Sequence, residues 1–378
     1  GTILKEELEN HWKRAHRASG YQLVSTPHIA PAGLWKTSGH YDYYRDNMYF
    51  IPVGQEEFVL KPMNCPGHIV IYGDRKRSYR ELPLRLAELG TVYRYEKSGV
   101  LHGLMRVRGF TVDDGHIFCT PDQIISEIQN VVRFALYFLK VFGFGYEIEL
   151  SLHDRQDPDH YAGDMDQWET VERSLADALE RMGESYRRAE GEAVFYGPKI
   201  DIKLRDALGR TWQGPTVQFD FNIPERFDLT YVGEDGNDHR VLLVHRALFG
   251  SVERFVGNLI EHFAGDFPGW LTPLQVVILP IARDHQAYSE SVLKSVRKAG
   301  FRASGDFRSE TVGFRVREAE ERKVPFMLVI GDREVAGERV AVRRHGAGDI
   351  GSMPLREALA MIEDACRRPD IPDGGFGS

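Results

Sequence analysis

Long apolar runs are missing from this sequence. No stretch approaches the roughly 18 to 20 apolar residues that carry a helix across a bilayer, which excludes an integral membrane protein built on such helices. Cysteine is scarce: Cys65, Cys119 and Cys366 lie too far apart for a disulfide framework and fit a reducing, cytoplasmic setting. The opening GTILKEELENHWKR has neither an apolar signal core nor a small-residue cleavage site, so it does not support secretion. Neither a GxxxxGK[ST] loop nor a strand-linked GxGxxG occurs, which disfavours a P-loop or Rossmann nucleotide site. An excess of positive charge is lacking too. Lys and Arg total 48 against 56 Asp and Glu, a net charge of −8, so nucleic-acid binding would need a local basic face. What remains is a chain of 378 residues, 42% apolar and 28% charged, a globular composition long enough for two or three domains of about 150 residues each.

Ile3, Leu4, Leu8, Trp12 and Ala15 recur at helical spacing, and Gly20 ends this first helix. YQLVSTPHI then reads as a strand running into Pro27. A domain that opens on a helix with no strand before it is expected to have further sequence upstream. LGTVYRYE (89–96) and MRVRGFTVDDGHIF (105–118), joined by a polar loop, read as an antiparallel pair. Thr120-Pro121 opens a helix that buries Ile128, Val131, Ala135 and Leu139 and ends near Gly143. A strand (GYEIELSL) and a helix (WETVERSLADALERM) follow. Three more strands (AVFYGPKIDIKLRD, RTWQGPTVQFDF, DHRVLLVHRA) and a helix (LFGSVERFVGNLIEHF) complete a first domain over 1–268. FPGWLTP reads as a linker. Strands then alternate with helices over 274–369, which predicts a small α/β domain with a covered, mainly parallel sheet. Residues 370–378 read as a loose tail.

Strand alternation places Val112, Asp114, His116 and Phe118 on one face, with Asp114 and His116 about 7 Å apart along the strand. The same rule puts Arg94 and Glu96 on one face of the neighbouring strand. Four polar residues on adjoining strands suggest a site, and a sheet face open to water gives the same pattern. Cys65, in KPMNCPGH, belongs to a residue type that is more often a small buried hydrophobe than a ligand. His245 ends the strand VLLVH, where a structural role is the commoner one. Cys65, His116 and His245 share no short metal-binding spacing, and the C-x2-H pair of Cys65 and His68 is too common to be diagnostic. Arg254 follows His245 on a helix, and with Arg106, Arg108, Lys199 and His102 it offers phosphate clamps or solvated charges.

Together, KPMNCPGH, LHGLMRVRGFT-x-DD-x-HIF, FYGPKI, TVQFDF, YVGED and HRALFGSVERF, in that order, resemble the catalytic domain of the threonyl-tRNA synthetases. VPFMLVIGDREV resembles that family's anticodon-binding domain, so the resemblance runs over essentially the whole chain. It implies an α+β class II synthetase fold, an antiparallel sheet flanked by helices, followed by a small α/β anticodon-binding domain. It implies a ligase that activates L-threonine with ATP to the adenylate and passes it to the 3′ end of tRNA(Thr). It further implies a homodimer through the N-terminal helix and strand, at work in the cytoplasm. Zinc would be held by Cys65, His116 and His245, leaving positions open for the amino and hydroxyl groups of threonine. Asp114 would accept a hydrogen bond from that hydroxyl and so reject valine. Met63, Tyr196, Gln218 and Val112 would lie near the amino acid. Arg94 would meet the α-phosphate, Glu96 the adenine amino group, and Arg106 and Arg254 the ATP phosphates with Mg²⁺. Gln213, Lys199 and His40 match further positions near the substrates. In the C-terminal domain Arg317, Lys323, Glu334 and Arg343 match anticodon-reading positions, where positive charge and base-edge hydrogen bonds are needed. Family members commonly remove misacylated serine with a separate N-terminal domain.

One position departs from the pattern. Val112 stands where the family has glutamine, on the face shared with Asp114 and His116, so it removes a polar contact and adds an apolar wall. Two further readings accompany it. One is a synthetase-like protein that activates another β-hydroxy or β-amino acid. The other is a protein that binds tRNA or a tRNA-like RNA without catalysis.

Overall fold

The computed structural model describes residues 1–161, 164–194, 196–205, 209 and 211–377, with the side chains of Tyr43 and Asp159 left aside. The chain divides into two compact units, one of residues 11–258 with 371–377 and one of residues 1–10 with 259–370.

The larger unit is built on one eight-stranded sheet. Its elements begin with helix α1 (Thr2–Ala18), which enters this unit at His11, and the short strand β1 (Gln22–Leu23). A separate three-stranded sheet is formed by β2 (Ile29–Pro31), β3 (Tyr49–Val53) and β4 (Glu56–Leu60). Helix α2 (Cys65–Tyr72) precedes the long pair β5 (Leu84–Tyr93) and β6 (Gly109–Cys119). Next come α3 (Ile124–Phe142), β7 (Gly145–Leu152), α4 (Met165–Met182) and β8 (Tyr186–Glu190). β9 (Lys199–Arg205), β10 (Thr211–Asp220), β11 (Leu242–Ser251) and α5 (Val252–His262) complete the series. The strand order is β1-β5-β6-β11-β10-β9-β7-β8. The central pairings from β5 to β7 are all antiparallel, and the outermost pair at each edge is parallel.

Hydrophobic spacing explains most of this. α3 buries Ile128, Val131, Val132, Ala135, Phe138 and Leu139, the face its sequence predicts, and stops where Gly143 turns to φ +69°. Leu4, Leu8, Trp12 and Ala15 of α1 are buried, whereas Ile3, expected on that face, is exposed. The segment YQLVSTPHI is not one strand: it pairs only at Gln22–Leu23 and again at Ile29–Pro31, in a different sheet. Between them the backbone N–H and hydroxyl of Thr26 turn to the carboxylate of Glu88. The expected helix over 248–263 starts only at Val252, because the N–H groups of Leu248 and Phe249 donate to the buried carboxylate of Asp113 and keep LFGS in β11. Phe195, Asp206 and Arg210, which fall in the expected strands, lie outside the described residues. The final residues, expected to hang loose, lie on this unit: Phe376 stacks on Phe134 at 4.8 Å, and Arg85 donates to the carbonyl of Gly377 at 2.8 Å.

The smaller unit holds a five-stranded sheet. Its elements are β12 (Val276–Pro280), α6 (Gln286–Lys298), β13 (Ala303–Gly305), α7 (Val312–Glu321), β14 (Phe326–Ile330) and α8 (Asp332–Gly337), then β15 (Arg339–Arg344), β16 (Gly348–Pro354) and α9 (Leu355–Ala365). The order is β13-β12-β14-β15-β16. The first three strands are parallel, as alternation with helices predicts, and the last two run antiparallel. Phe326, Leu328 and Ile330 face one core with residues of α6 and α9, while Met327 packs with Ala319 of α7 on the other side. The expected linker FPGWLTP is packed rather than solvated, with Trp270 and Leu271 buried. No described helix is long and apolar enough to cross a membrane.

Candidate active site

Three distant side chains converge at the centre of the large sheet. Cys65 is supplied by the first turn of α2, His116 by β6 and His245 by β11, where His245 pairs directly with His116. Their ligand atoms all lie within 4.8 Å of one another, and Nε2 of His116 is 3.0 Å from Nδ1 of His245. Tetrahedral Zn²⁺ bonds of about 2.0 to 2.3 Å would set ligand atoms roughly 3.3 to 3.7 Å apart, so this group could hold such an ion with little movement. Thiol and imidazole are suitable donors. Nε2 of His245 lies 3.0 Å from a carboxylate oxygen of the fully buried Asp220, the outer partner a metal-bound imidazole ordinarily has. Burial pushes the Cys65 thiol up, with the charges of Asp114 and Asp220 adding to it, so a cation is what would make it a thiolate. Burial also pushes His116 down, keeping the ring neutral as a ligand must be.

The cluster forms the floor of a cavity that also takes in Met63, Arg94, Val112, Asp114, Tyr196 and Gln218. His40, which opens the short helix His40–Tyr43, and Arg226, which ends the short helix Asn222–Arg226, line the same cavity. Alternation along β6 holds, since Val112, Asp114 and His116 all face it, and the Asp114 carboxylate comes within 3.8 Å of Nε2 of His116. Asn64 donates to Asp114 at 3.1 Å and orients it. The Tyr196 hydroxyl donates to Gln218 at 3.0 Å. Nε2 of His40 sits 3.0 Å from the Met63 sulfur and 3.7 Å from that of Cys65. Burial, followed by the coulombic effect of the neighbouring His245, pushes His40 down to about 4.

Beyond the cavity the chain collects positive charge. β5 ends at Tyr93, so Arg94 and Glu96 lie in the turn after it and not on a strand face: Arg94 N–H pairs with the carbonyl of Arg108, and Glu96 N–H with that of Arg94. Arg254, half-buried in the first turn of α5, donates to the carbonyl of Met105 at 2.9 Å. Burial pushes its guanidinium down, and repulsion from Arg106 and Arg94 adds to this. Arg254 and the guanidinium groups of Arg106 and Arg94 that repel it, with Glu96 paired to Arg106 at 3.0 Å, make a place where phosphate oxygens would be welcome. Lys199 and Gln213 are gathered elsewhere. Both bind Asp201, at 2.7 Å each, next to the cavity along β9 and β10 and not in its lining.

In the smaller unit Arg343 lies on the face of the sheet that carries α7, paired with Met327, and Arg317 is exposed on α7. Lys323 donates to the carbonyl of Ala264. The Glu334 carboxylate is already engaged, by the N–H of Gly331 and the hydroxyl of Ser352, both at 3.1 Å. Asn64, Asp220, Arg226 and His68 were not singled out from sequence as site residues. For Asp220 a signal existed, because alternation in TVQFDF puts it on the face of Gln218.

The architecture and the site define a class. Residues 50–263 match the tRNA synthetase class II core domain (G, H, P, S and T), and residues 275–365 match an anticodon binding domain, so the chain belongs to the class II aminoacyl-tRNA synthetases. Within that class it falls in the threonyl-tRNA synthetase family. A threonine–tRNA ligase of Carboxydothermus hydrogenoformans is 48% identical over 362 residues, 96% of this chain and 56% of the relative. One of Acetivibrio thermocellus is 50% identical over 370 residues, 98% of this chain and 58% of the relative. The chain thus spans little more than half the length of these curated relatives. Among solved structures, the RNA binding domain of threonyl-tRNA synthetase from Cryptosporidium parvum superposes with a TM-score of 0.93 at 37% identity, covering 98% of this chain and 92% of that one.

Proposed function

We propose that the chain activates L-threonine with ATP and transfers the threonyl group to the 3′ end of tRNA(Thr). The convergence of Cys65, His116 and His245 on one cavity floor carries this reading. These three side chains would hold Zn²⁺, which when bound supplies a Lewis-acid grip on the amino and hydroxyl groups of threonine. Asp114, held by Asn64, accepts the hydrogen bond of that hydroxyl, and valine would leave the carboxylate unpaired. Tyr196, Gln218 and Met63, which line the same cavity, would pack around the amino acid. Val112 lines the same cavity, so it narrows the choice of side chain with an apolar wall.

Arg94 lines the cavity and lies near enough to Arg254 to repel it, so it would orient the α-phosphate toward the carboxylate of threonine. Arg106 and Arg254, with Mg²⁺, hold the remaining phosphates. Glu96 reads the adenine amino group on leaving Arg106, which turns to phosphate. The carboxylate attacks in line at the α-phosphorus and pyrophosphate leaves, so positioning and charge neutralisation do most of the work. Lys199, Gln213 and His40 flank this path, and the 3′-hydroxyl of tRNA then attacks the carbonyl carbon of the adenylate, forming the ester as AMP leaves. Arg317, Lys323, Glu334 and Arg343 would read the anticodon, over a domain of 274–369 following a catalytic domain of 1–268. The protein would act as a cytoplasmic homodimer through its N-terminal helix and strand.

Pyrophosphate exchange into ATP, measured with threonine, serine and valine before and after chelation, tests the proposal. Threonine-dependent exchange lost on chelation is expected. Exchange with none of the three would favour an RNA-binding protein without catalysis, and exchange untouched by chelation would reject the zinc assignment.

A further inference from the structure

Behind the three candidate ligands stands a histidine that the proposed reaction leaves unused. His68 is fully buried on α2, one turn beyond Cys65. Its Nδ1 lies 2.8 Å from Nδ1 of His116, and its Nε2 lies 3.2 Å from a carboxylate oxygen of Glu88 on β5. Glu88 is held in turn by the Thr26 N–H at 2.9 Å, the Thr26 hydroxyl at 2.8 Å and Nζ of Lys61 at 3.0 Å. Burial pushes the Glu88 carboxyl up, but the hydrogen bonds of His68 and Thr26 and the charge of Lys61 outweigh it and hold it at about 2. Glu88 is therefore a carboxylate, and a carboxylate only accepts.

Hydrogen-bond polarity then runs one way through the chain. Because Glu88 accepts, His68 carries its proton on Nε2. A neutral His68 offers a lone pair at Nδ1, and a contact of 2.8 Å there requires a donor, which is the Nδ1–H of His116. With its proton on Nδ1, His116 keeps Nε2 bare. Asp220 acts likewise on His245, leaving its Nδ1 bare. Two bare nitrogens 3.0 Å apart repel each other unless a cation sits beside both.

We propose that His68, backed by Glu88, Lys61 and Thr26, is a positioning residue for the metal: it fixes the tautomer of His116 and aims the Nε2 lone pair into the cluster. This rests on the zinc reading above and extends it to a side chain that would not touch the ion. An apolar residue could fill the same space. What it could not supply is an acceptor for His116 Nδ1–H together with a donor for Glu88, and outer partners of this kind are typically worth about 10- to 100-fold in metal affinity.

The test is zinc affinity of the whole chain, by competition with a chelator, for the wild type, His68→Leu and His68→Gln. The d–d spectrum of the cobalt-loaded forms and the melting temperature of the metal-free forms accompany it. His68→Leu is expected to lose about 10- to 100-fold in affinity with an altered cobalt spectrum, besides the few degrees of melting temperature that leaving Glu88 and His116 without their ring partner costs. His68→Gln, which can accept and donate, should recover most of that loss. Equal zinc affinity in wild type and His68→Leu overturns the proposal while leaving the zinc reading intact. A wild type that takes up no zinc overturns both. Should His68→Leu not fold, long-range imidazole ¹⁵N spectra of the zinc-loaded wild type decide: a proton on His68 Nε2 is expected, and a proton on His68 Nδ1 overturns the assignment.

Discussion

The side-chain amide of Asn64 donates to the carboxylate of Asp114 at 3.1 Å, from a place that exists only because residue 90 is glycine. A Cβ at Gly90 would come within 2.3 Å of the Asn64 amide oxygen, and Asn64 is buried. Gly90→Ala should therefore cost about 1 to 3 kcal/mol and displace Asn64. The checks are the melting temperature and the ratio of threonine to valine in pyrophosphate exchange, both of which should fall.

Asp114→Ala should fold as the wild type and lose selectivity more than rate. A site built for a hydroxyl rejects its absence by up to about 10⁴-fold or more, so discrimination against valine should drop by on the order of 100-fold. Unchanged discrimination would remove Asp114 from hydroxyl recognition.

Arg254→Ala should lower threonine-dependent exchange by about 10²- to 10³-fold. Arg254→Lys should restore only part of it, since a lysine cannot reproduce a planar fork. A rise in the KM for ATP with little change in that for threonine would place the effect on the phosphate side.

Cys65→Ala and His245→Ala should each remove stoichiometric zinc from the purified protein, measured by elemental analysis. His245→Ala also leaves the Asp220 carboxylate buried without its ring donor, so a fall of several degrees in melting temperature is expected in addition.

Glu88 links the outer chain to pH. Its folded carboxyl is held at about 2, below the ordinary glutamate value of about 4.3, so its stabilisation is complete above roughly pH 4.5 and fades as pH falls toward 2. The full effect is on the order of 3 kcal/mol. In melting experiments from pH 6 to 3.5, the wild type should therefore lose stability faster than Glu88→Gln, and the gap between them should narrow.

How much of this was legible in the sequence differs from residue to residue. Alternation along β6 placed Val112, Asp114 and His116 correctly because one face of that strand is continuous over all three. It failed at Arg94 and Glu96, since alternation cannot show where a strand stops, and Tyr93 is its last residue. The helix expected from Leu248 began four residues late because a distant carboxylate, Asp113, captured the first N–H groups. Cys65, His116 and His245 are separated by 51 and 129 positions, distances at which spacing carries no information; β6–β11 pairing brings the two histidines together. His68 stands in a C-x2-H pair too common to be diagnostic, and its partner in the fold, His116, is 48 positions away.

The returning segment at residues 371–377 alters how the chain can be divided. The larger unit leaves off at Asn258 and is finished by Phe376 and Gly377, so cutting near residue 268 removes the ring that covers Phe134 and the carbonyl that receives Arg85. A fragment of residues 11–258 meant to stand alone would have to keep residues 371–377 with it.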